Sequence, residues 1–313
     1  MRSEVIAGLL LLALSACAQG AGCDLVKVSQ VPLEARNRLF TVPVTLDGHK
    51  LSMLMDTGSA RSMLDEATVR RLKIPRDGRT FTVMVGLHGG SPKADANIES
   101  MLLGDVPLAV DRLPVSTLEG QGIDGIIGLD VLRDYDLDID EPNSTLTLYR
   151  VRRCEPADPP WSEAAMPIDG VATRTSWMEM PFEIDGFMGT GTVDTGASFT
   201  AIMPRMMRRL GLTEQAMADD RTVRLHVIAG EDVQARVHRF ETIRMGPVTV
   251  HNASILVLLK EPPALDGGRQ FDDGVIGQDL LHNRRVWFSM RTGHLYMSRA
   301  GNDPSGNPTS SGH

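Results

Sequence analysis

The tripeptide Asp-Thr-Gly occurs twice in this chain, as Asp56-Thr57-Gly58 followed by Ser59 and as Asp194-Thr195-Gly196 followed by Ala197. Each copy closes a run that reads as a buried strand, Lys50 to Met55 before the first and Gly189 to Val193 before the second. Two aspartates presented on matching turns can be brought within hydrogen-bonding distance if the segments bearing them face each other. Two carboxylates that close cannot both stay ionised at modest pH, so they share a proton. Such a pair can hold one water, take a proton from it with the ionised member and protonate a carbonyl oxygen with the other, which is amide hydrolysis without metal or covalent intermediate. In that role Gly58 and Gly196 allow the tight turn that brings backbone donors to the carboxylates. The Thr57 and Thr195 hydroxyls can reach the opposite strand and lock the pair. A lone Asp-Thr-Gly is a polar strand-end turn in most contexts, so the weight rests on the match between the two copies.

That match extends well beyond the tripeptide. At the same spacing of 138 residues, Pro43 falls on Pro181, Asp47-Gly48 on Asp185-Gly186, and Arg70-Arg71-Leu72 on Arg208-Arg209-Leu210. A second motif is doubled too, with Asp124-Gly125-Ile126-Ile127-Gly128-Leu129-Asp130 returning as Asp273-Gly274-Val275-Ile276-Gly277-Gln278-Asp279. A long period seen twice means two homologous lobes rather than a solenoid.

The elements that must position the aspartates follow from local pattern. Leu39 to Leu46 and Lys50 to Met55 flank Asp47-Gly48 as a hairpin. A helix follows, capped by Asp65, with Val69 and Leu72 on its apolar side and Pro75 at its end. In the second lobe Pro204 opens the corresponding helix and Gly211 stops it. Asp130 to Asp134 reads as a further helix. Asp130 and Asp279 are placed as helix caps, and Asp124 and Asp273 as turn residues. Leu137-Asp138-Ile139 pairs with Leu146-Thr147-Leu148 to close lobe one, and Val286-Trp287-Phe288 with His294-Leu295-Tyr296 to close lobe two. Gly86-Leu87-His88-Gly89-Gly90-Ser91 is too glycine-rich for a strand interior and is either a plain turn or a mobile flap; its counterpart is Ile228-Ala229-Gly230-Glu231. The resulting division is a lobe over 24–150, a linker rich in proline and charge over 151–160, a lobe over 161–300 and a disordered tail over 301–313.

The N-terminus reads as an export signal over 1–17: Arg2, then the apolar stretch Val5 to Leu14, too short to span a bilayer. Leu14-Ser15-Ala16-Cys17 has the form of a bacterial lipobox, with Cys17 acylated and attached to a membrane. The competing reading takes Ala16-Cys17-Ala18 as an ordinary cleavage site and yields a soluble product. Either way the folded part lies outside the cytoplasm, in the periplasm or cell envelope. Cys23 and Cys154 remain, a pair suited to a disulfide worth as much as about 4–5 kcal/mol by chain-entropy reasoning, or else two free thiols. Two cysteines at this spacing make no metal site, and the eight histidines form no His-x-x-x-His pattern, so neither metal nor cofactor is expected. With 313 residues and 42% hydrophobic content the chain can fill two moderate cores. A net charge of −8 and a pI near 5.5 argue against a nucleic-acid surface.

From about residue 31 to 299 the chain resembles the aspartic peptidases, on two Asp-Thr-Gly-[Ser/Ala] loops each followed by an apolar-apolar-Gly motif at Ile126-Ile127-Gly128 and Val275-Ile276-Gly277. The single-chain, two-lobed arrangement is similar to the pepsin group, and the short lobes are similar to retropepsin subunits fused in tandem. The resemblance implies a mostly β, bilobal fold of two homologous barrel-like lobes with a cleft between them. It makes Asp56 and Asp194 the catalytic pair and Thr57 and Thr195 the interlobe lock. Gly86, Leu87, His88, Gly89, Ala229 and Gly230 become flap candidates over an extended protein or peptide substrate. Unlike pepsin-like enzymes, the chain has no flap tyrosine, since its tyrosines are Tyr135, Tyr149 and Tyr296. The short stretch between Cys17 and Val31 leaves little room for an inhibitory prosegment, so direct folding into the active form is expected. Ser59 can donate to the Asp56 carboxylate whereas Ala197 has no hydroxyl for Asp194, which places the negative charge on Asp56 and the proton on Asp194. The alternative from another class is a catalytically silent, peptide-binding lipoprotein that keeps the cleft as a recognition groove.

Overall fold

The computed structural model describes residues 24–36, 38–83, 92–118, 122–152, 159–161, 166–170, 177–225, 233–260 and 273–298. Cys17, Cys23, Cys154, the loops at 86–91 and 228–231 and the tail at 301–313 lie outside these residues. The fold is mostly β: an eight-stranded sheet in the first half, a nine-stranded sheet in the second, a three-stranded sheet beside the first, and a six-stranded sheet that draws on both halves. The helices among the described residues are short, the longest being the seven residues Glu66–Leu72. None is long and apolar enough to cross a membrane.

Each half builds the same unit. In the first, Leu39–Leu46 pairs antiparallel with His49–Met55 across a turn whose two residues, Asp47 and Gly48, both take positive φ (47° and 80°), the twist a two-residue hairpin needs. Gly125–Ile127 then runs parallel to His49–Met55, with Ile127 beside Met55, and antiparallel to Met63–Asp65. The second half repeats this with Glu179–Ile184, Phe187–Val193 and the turn Asp185-Gly186 (46° and 84°), and Gly274–Ile276 sets Ile276 beside Val193. The residue after each inner strand is the aspartate. Its backbone amide is held by the neighbouring strand, Asp56 N by the Ile127 carbonyl at 3.0 Å and Asp194 N by the Ile276 carbonyl at 2.9 Å.

Asp65 caps Glu66–Leu72 as expected, accepting from the amides of Ala67 and Thr68, and Pro204 opens Pro204–Arg209. The first helix stops two residues before Pro75, at Lys73 in the left-handed region (φ 56°). Two other expectations are corrected. Asp130 and Asp279 do not cap the helices Leu129–Leu132 and Gln278–Leu281, whose cap positions are Gly128 and Gly277. They sit inside the first turn and reach back to the segment after each Asp-Thr-Gly. Asp130 accepts from Ser62 N and Oγ at 2.8 and 2.7 Å, and Asp279 from Thr200 N and Oγ1 at 2.8 and 2.6 Å. Those hydroxyls in turn accept from Gly128 N and Gly277 N, both at 3.0 Å. Asp124 and Asp273 lie at bends before their strands, as expected, and are cross-links as well. Asp124 accepts from Ser52 N, Thr68 Oγ1 and Arg71, and Asp273 from Thr190 N and Arg209, tying hairpin to helix in each half.

The two closing hairpins also behave differently from the local reading. They pair with each other, Leu137 opposite Phe288 and Ile139 opposite Val286, inside the six-stranded sheet. Asp24–Pro32 borders one side of it, pairing with Thr145–Arg152, and Met166–Asp169 the other. Val151 and Arg152, read as the start of the linker, are the last residues of Thr145–Arg152. One face of this sheet contributes Leu137, Ile139, Leu146, Leu148, Val286, Phe288, Leu295 and Met297 to a core cluster continuous across both halves. Its buried Asp138 is gripped by the half-buried Arg285 with two bonds of 2.8 and 2.6 Å.

Asp136, in the same sheet, is 2% exposed and accepts from Ser289 Oγ and Met290 N at 3.2 and 3.0 Å. Burial outweighs these bonds and pushes its carboxyl from 3.8 up to about 6. A carboxyl raised on folding binds more protons in the native state, so its contribution is most favourable below about 4 and is lost as pH rises to about 6. The loss amounts to roughly 3 kcal/mol. Asp136→Asn should therefore stabilise the protein relative to wild type at pH 7 and much less at pH 4, as read from urea unfolding at the two pH values.

Candidate active site

The first Asp-Thr-Gly loop faces the second, and the contact between them is reciprocal. Thr57 Oγ1 donates to the Val193 carbonyl at 2.8 Å and accepts from Thr195 N at 3.0 Å; Thr195 Oγ1 donates to the Met55 carbonyl at 2.7 Å and accepts from Thr57 N at 3.0 Å. Both threonines are buried, so each hydroxyl has its donor and acceptor capacity met inside the protein. The four bonds fix the separation and the rotation of one loop on the other.

Held this way, the carboxyls of Asp56 and Asp194 hydrogen-bond to each other. Gly58 N and Ser59 N donate to Asp56 Oδ1 at 2.8 and 2.9 Å, and Gly196 N donates to Asp194 Oδ1 at 2.7 Å. Both glycines lie in the expected turn and bring their amides to the carboxylates, but neither takes a positive φ, so the turn alone does not demand glycine. A methyl group on Gly58 would fall 2.3 Å from Asp194 Cγ, and one on Gly196 would fall 2.4 Å from Asp56 Cγ. Each glycine therefore makes room for the carboxylate of the opposite loop.

Behind the loops stand the Ile-Ile-Gly and Val-Ile-Gly motifs. Leu129 N donates to the Ser59 carbonyl at 2.8 Å and Gln278 N to the Ala197 carbonyl at 2.9 Å. A side chain on Gly128 would meet the Arg61 backbone at 2.7 Å, and one on Gly277 the Phe199 backbone at 2.5 Å, which is why both motifs end in glycine. Gln278 Nε2 adds a bond to the Thr195 carbonyl at 3.0 Å. Its signal in the sequence is a polar residue where the first repeat has Leu129. Trp177, whose Nε1 donates to the Gly58 carbonyl at 3.1 Å, carries no such signal.

Both aspartate pKa values are raised, first by burial. Asp56 is pushed well above its ordinary value, because the Asp194 charge and the hydrogen bond between them add to burial. Asp194 is pulled back by the amides of Gly196, Ala197 and Gly58 and by the bond from Asp56. Asp56 is thus the more strongly raised of the two, whereas the expectation built on Ser59 puts the charge on Asp56. The physical reason is the direction of the Ser59 hydroxyl, which donates to the Arg61 carbonyl at 2.9 Å, leaving only its backbone amide on Asp56.

The flap candidates Gly86, Leu87, His88, Gly89, Ala229 and Gly230 lie outside the described residues. The strands on either side of them pair, Arg76–Val83 with Pro92–Asn97 and Arg221–Leu225 with Val233–Arg239.

The family model described as aspartyl protease matches residues 42–131 and 180–280, more than half of the chain in two stretches that each contain one Asp-Thr-Gly. The chain belongs to the aspartyl protease family. Among solved structures, that of an aspartic proteinase from Irpex lacteus is similar, with a TM-score of 0.52 at 13% identity over 89% of this chain and 99% of that one. At that identity the likeness carries the bilobal fold alone. No curated protein sequence matches the chain. The doubled family match coincides with the doubled unit of strand, loop and supporting helix, so this member of the family carries both Asp-Thr-Gly units in one polypeptide.

Proposed function

We propose that the chain is an aspartic endopeptidase acting on extended polypeptide segments, with Asp56 and Asp194 as its catalytic pair. The observation that carries this reading is the reciprocal threonine lock, which sets two buried carboxyls face to face so that they share one proton. A water held between them loses a proton to the Asp194 carboxylate as its oxygen attacks the scissile carbonyl carbon. The Asp56 carboxyl passes its proton to the carbonyl oxygen, giving a neutral tetrahedral diol. In the breakdown, Asp56 takes a proton back from one hydroxyl and the amine leaves with the proton held by Asp194, so the pair returns to its starting state. A groove that only bound peptides would not need a buried like-charge pair, whose ionisation is costly. Export and acylation at Cys17 belong to the same proposal and rest on the N-terminal sequence; the mass of the mature N-terminal peptide decides between acylation and simple cleavage.

The test is cleavage of an unfolded protein by the mature chain from pH 3 to 8, with and without a statine-type inhibitor whose hydroxyl imitates the tetrahedral diol. The expected result is a bell-shaped profile abolished by the inhibitor. Both limbs belong to the pair: the acidic one marks protonation of its remaining carboxylate and the alkaline one loss of the shared proton, which burial and the neighbouring charge hold above the ordinary carboxylate value. Peptide binding without cleavage at any pH would leave the recognition groove as the function.

A further inference from the structure

We propose that Trp177 is a positioning residue for the pair of aspartates, acting through a single peptide unit. This rests on the peptidase reading for its consequence in catalysis, though not for its geometry. The Gly58 carbonyl and the Ser59 amide are the two ends of one peptide group. The carbonyl accepts from Trp177 Nε1 at 3.1 Å, and the amide donates to Asp56 Oδ1 at 2.9 Å. A bond accepted at the oxygen polarises the group and makes its N–H a better donor, so the indole strengthens and aims one of the two amides that hold Asp56. Trp177 comes from the other half of the chain, just before the strand Glu179–Ile184, and so orients the first loop independently of the threonine lock.

The arrangement is matched in place but not in chemistry by the first half. At the spacing of 138 residues the counterpart of Trp177 is Leu39, which has no side-chain donor. Its neighbour Arg38 does cross to the second loop, where the guanidinium lies 5.2 Å over the ring of Phe199. Each half thus sends a side chain from the entry of the first strand of its hairpin onto the opposite loop. Of these two, Trp177 alone grips a peptide that serves a carboxylate; the Thr195–Gly196 peptide, whose amide serves Asp194, is gripped instead by Gln278 from its own half. The symmetry of the two Asp-Thr-Gly loops is broken here, on the Asp56 side.

The experiment has two readouts on the full mature chain. The three tryptophans give three indole N–H resonances in a ¹H–¹⁵N spectrum, and that of Trp177 is assigned by its loss in Trp177→Phe. The expected result is that this resonance shifts with the titration of the pair between pH 3 and 8 and stays flat in Asp56→Asn. In kinetics, Trp177→Phe keeps an aromatic ring and removes the donor. It should lower kcat by about fivefold, the effect of losing one neutral hydrogen bond, with KM little changed. The alkaline limb should move up, since Asp56 loses part of what favours its ionised form. A Trp177 resonance indifferent to pH, together with a wild-type profile in Trp177→Phe, would overturn the proposal. So would a rise in kcat/KM with a falling KM, which would mean that the indole competes with substrate for the Gly58 carbonyl. A resonance that follows Asp56 in a chain with no cleavage would sink the peptidase reading and leave the positioning role standing.

Discussion

Asp56→Asn and Asp194→Asn should each lower kcat/KM by about 10³-fold or more while leaving the fold intact. Asparagine at 194 cannot take a proton from water, so the general base is gone. Asparagine at 56 imitates the shape and the hydrogen bond of the protonated carboxyl but has no proton to transfer. Removal of a positioned acid or base costs up to about 10⁴-fold, and members of one catalytic unit are not additive, so the double variant should be scarcely worse than either single one. The same changes should raise stability at neutral pH. A carboxyl whose pKa is raised on folding helps most below its unfolded value near 3.8, and that help is lost as pH rises toward its folded value. Asparagine has no such dependence, so each variant should melt above wild type at pH 7 and close to it in acid. Loss of turnover together with a gain in melting temperature separates removal of chemistry from damage to structure. A variant that kept a tenth of wild-type turnover would refute the paired mechanism.

Gly58→Ala and Gly196→Ala carry the second large effect. The added methyl groups would lie 2.3 and 2.4 Å from the opposite carboxyl carbon, closer than any real contact. Neither loop can yield easily. Its aspartate is tied to the strand beside it, its threonine to the opposite strand, and its back to a helix start. The carboxylates must therefore be driven apart or the threonine lock opened. The expected outcome is loss of measurable cleavage and a destabilisation of about 1–3 kcal/mol or more by urea unfolding, in the range of overpacked cores. Gly78→Ala is the control. Gly78 has an ordinary φ and open space where its methyl would go, so the cost should stay within about 0.5 kcal/mol with cleavage unchanged. Equal effects at Gly78 and Gly58 would remove close approach as the reason for the motif glycines.

Much of the fold was legible because the repeat names its own elements. Asp47-Gly48 and Asp185-Gly186 each demand a two-residue turn, Asp65 and Pro204 each open a helix, and the threonines of the two loops find the partners expected of them. What escaped was settled by distance or by rotamer. Asp130 looks like a cap from its place at a helix start, yet its carboxylate turns back to Ser62, 68 residues earlier. Ser59 stands beside Asp56 in sequence, and its hydroxyl points to Arg61. Trp177 meets Gly58 across 119 residues with no periodicity to announce it. The closing hairpins carry ordinary strand patterns that cannot say whether each ends its own sheet or joins the other's.

That joined sheet bears on when the protein becomes competent. Leu137 opposite Phe288 is among the most sequence-distant pairings in the molecule, and the threonine lock spans 138 residues. Contacts so far apart close late, after each local hairpin has already formed. A chain emerging residue by residue can shape its first hairpin and first loop early, but Asp56 has no partner until Asp194 follows, and the sheet has no centre until Arg285–Ser289 arrives. Assembly of the aspartate pair, and with it the proposed hydrolysis, is therefore tied to the arrival of these late strands. Fragments ending before Arg285 should populate collapsed, inactive forms, and refolding followed by recovered turnover should lag behind refolding followed by far-ultraviolet signal.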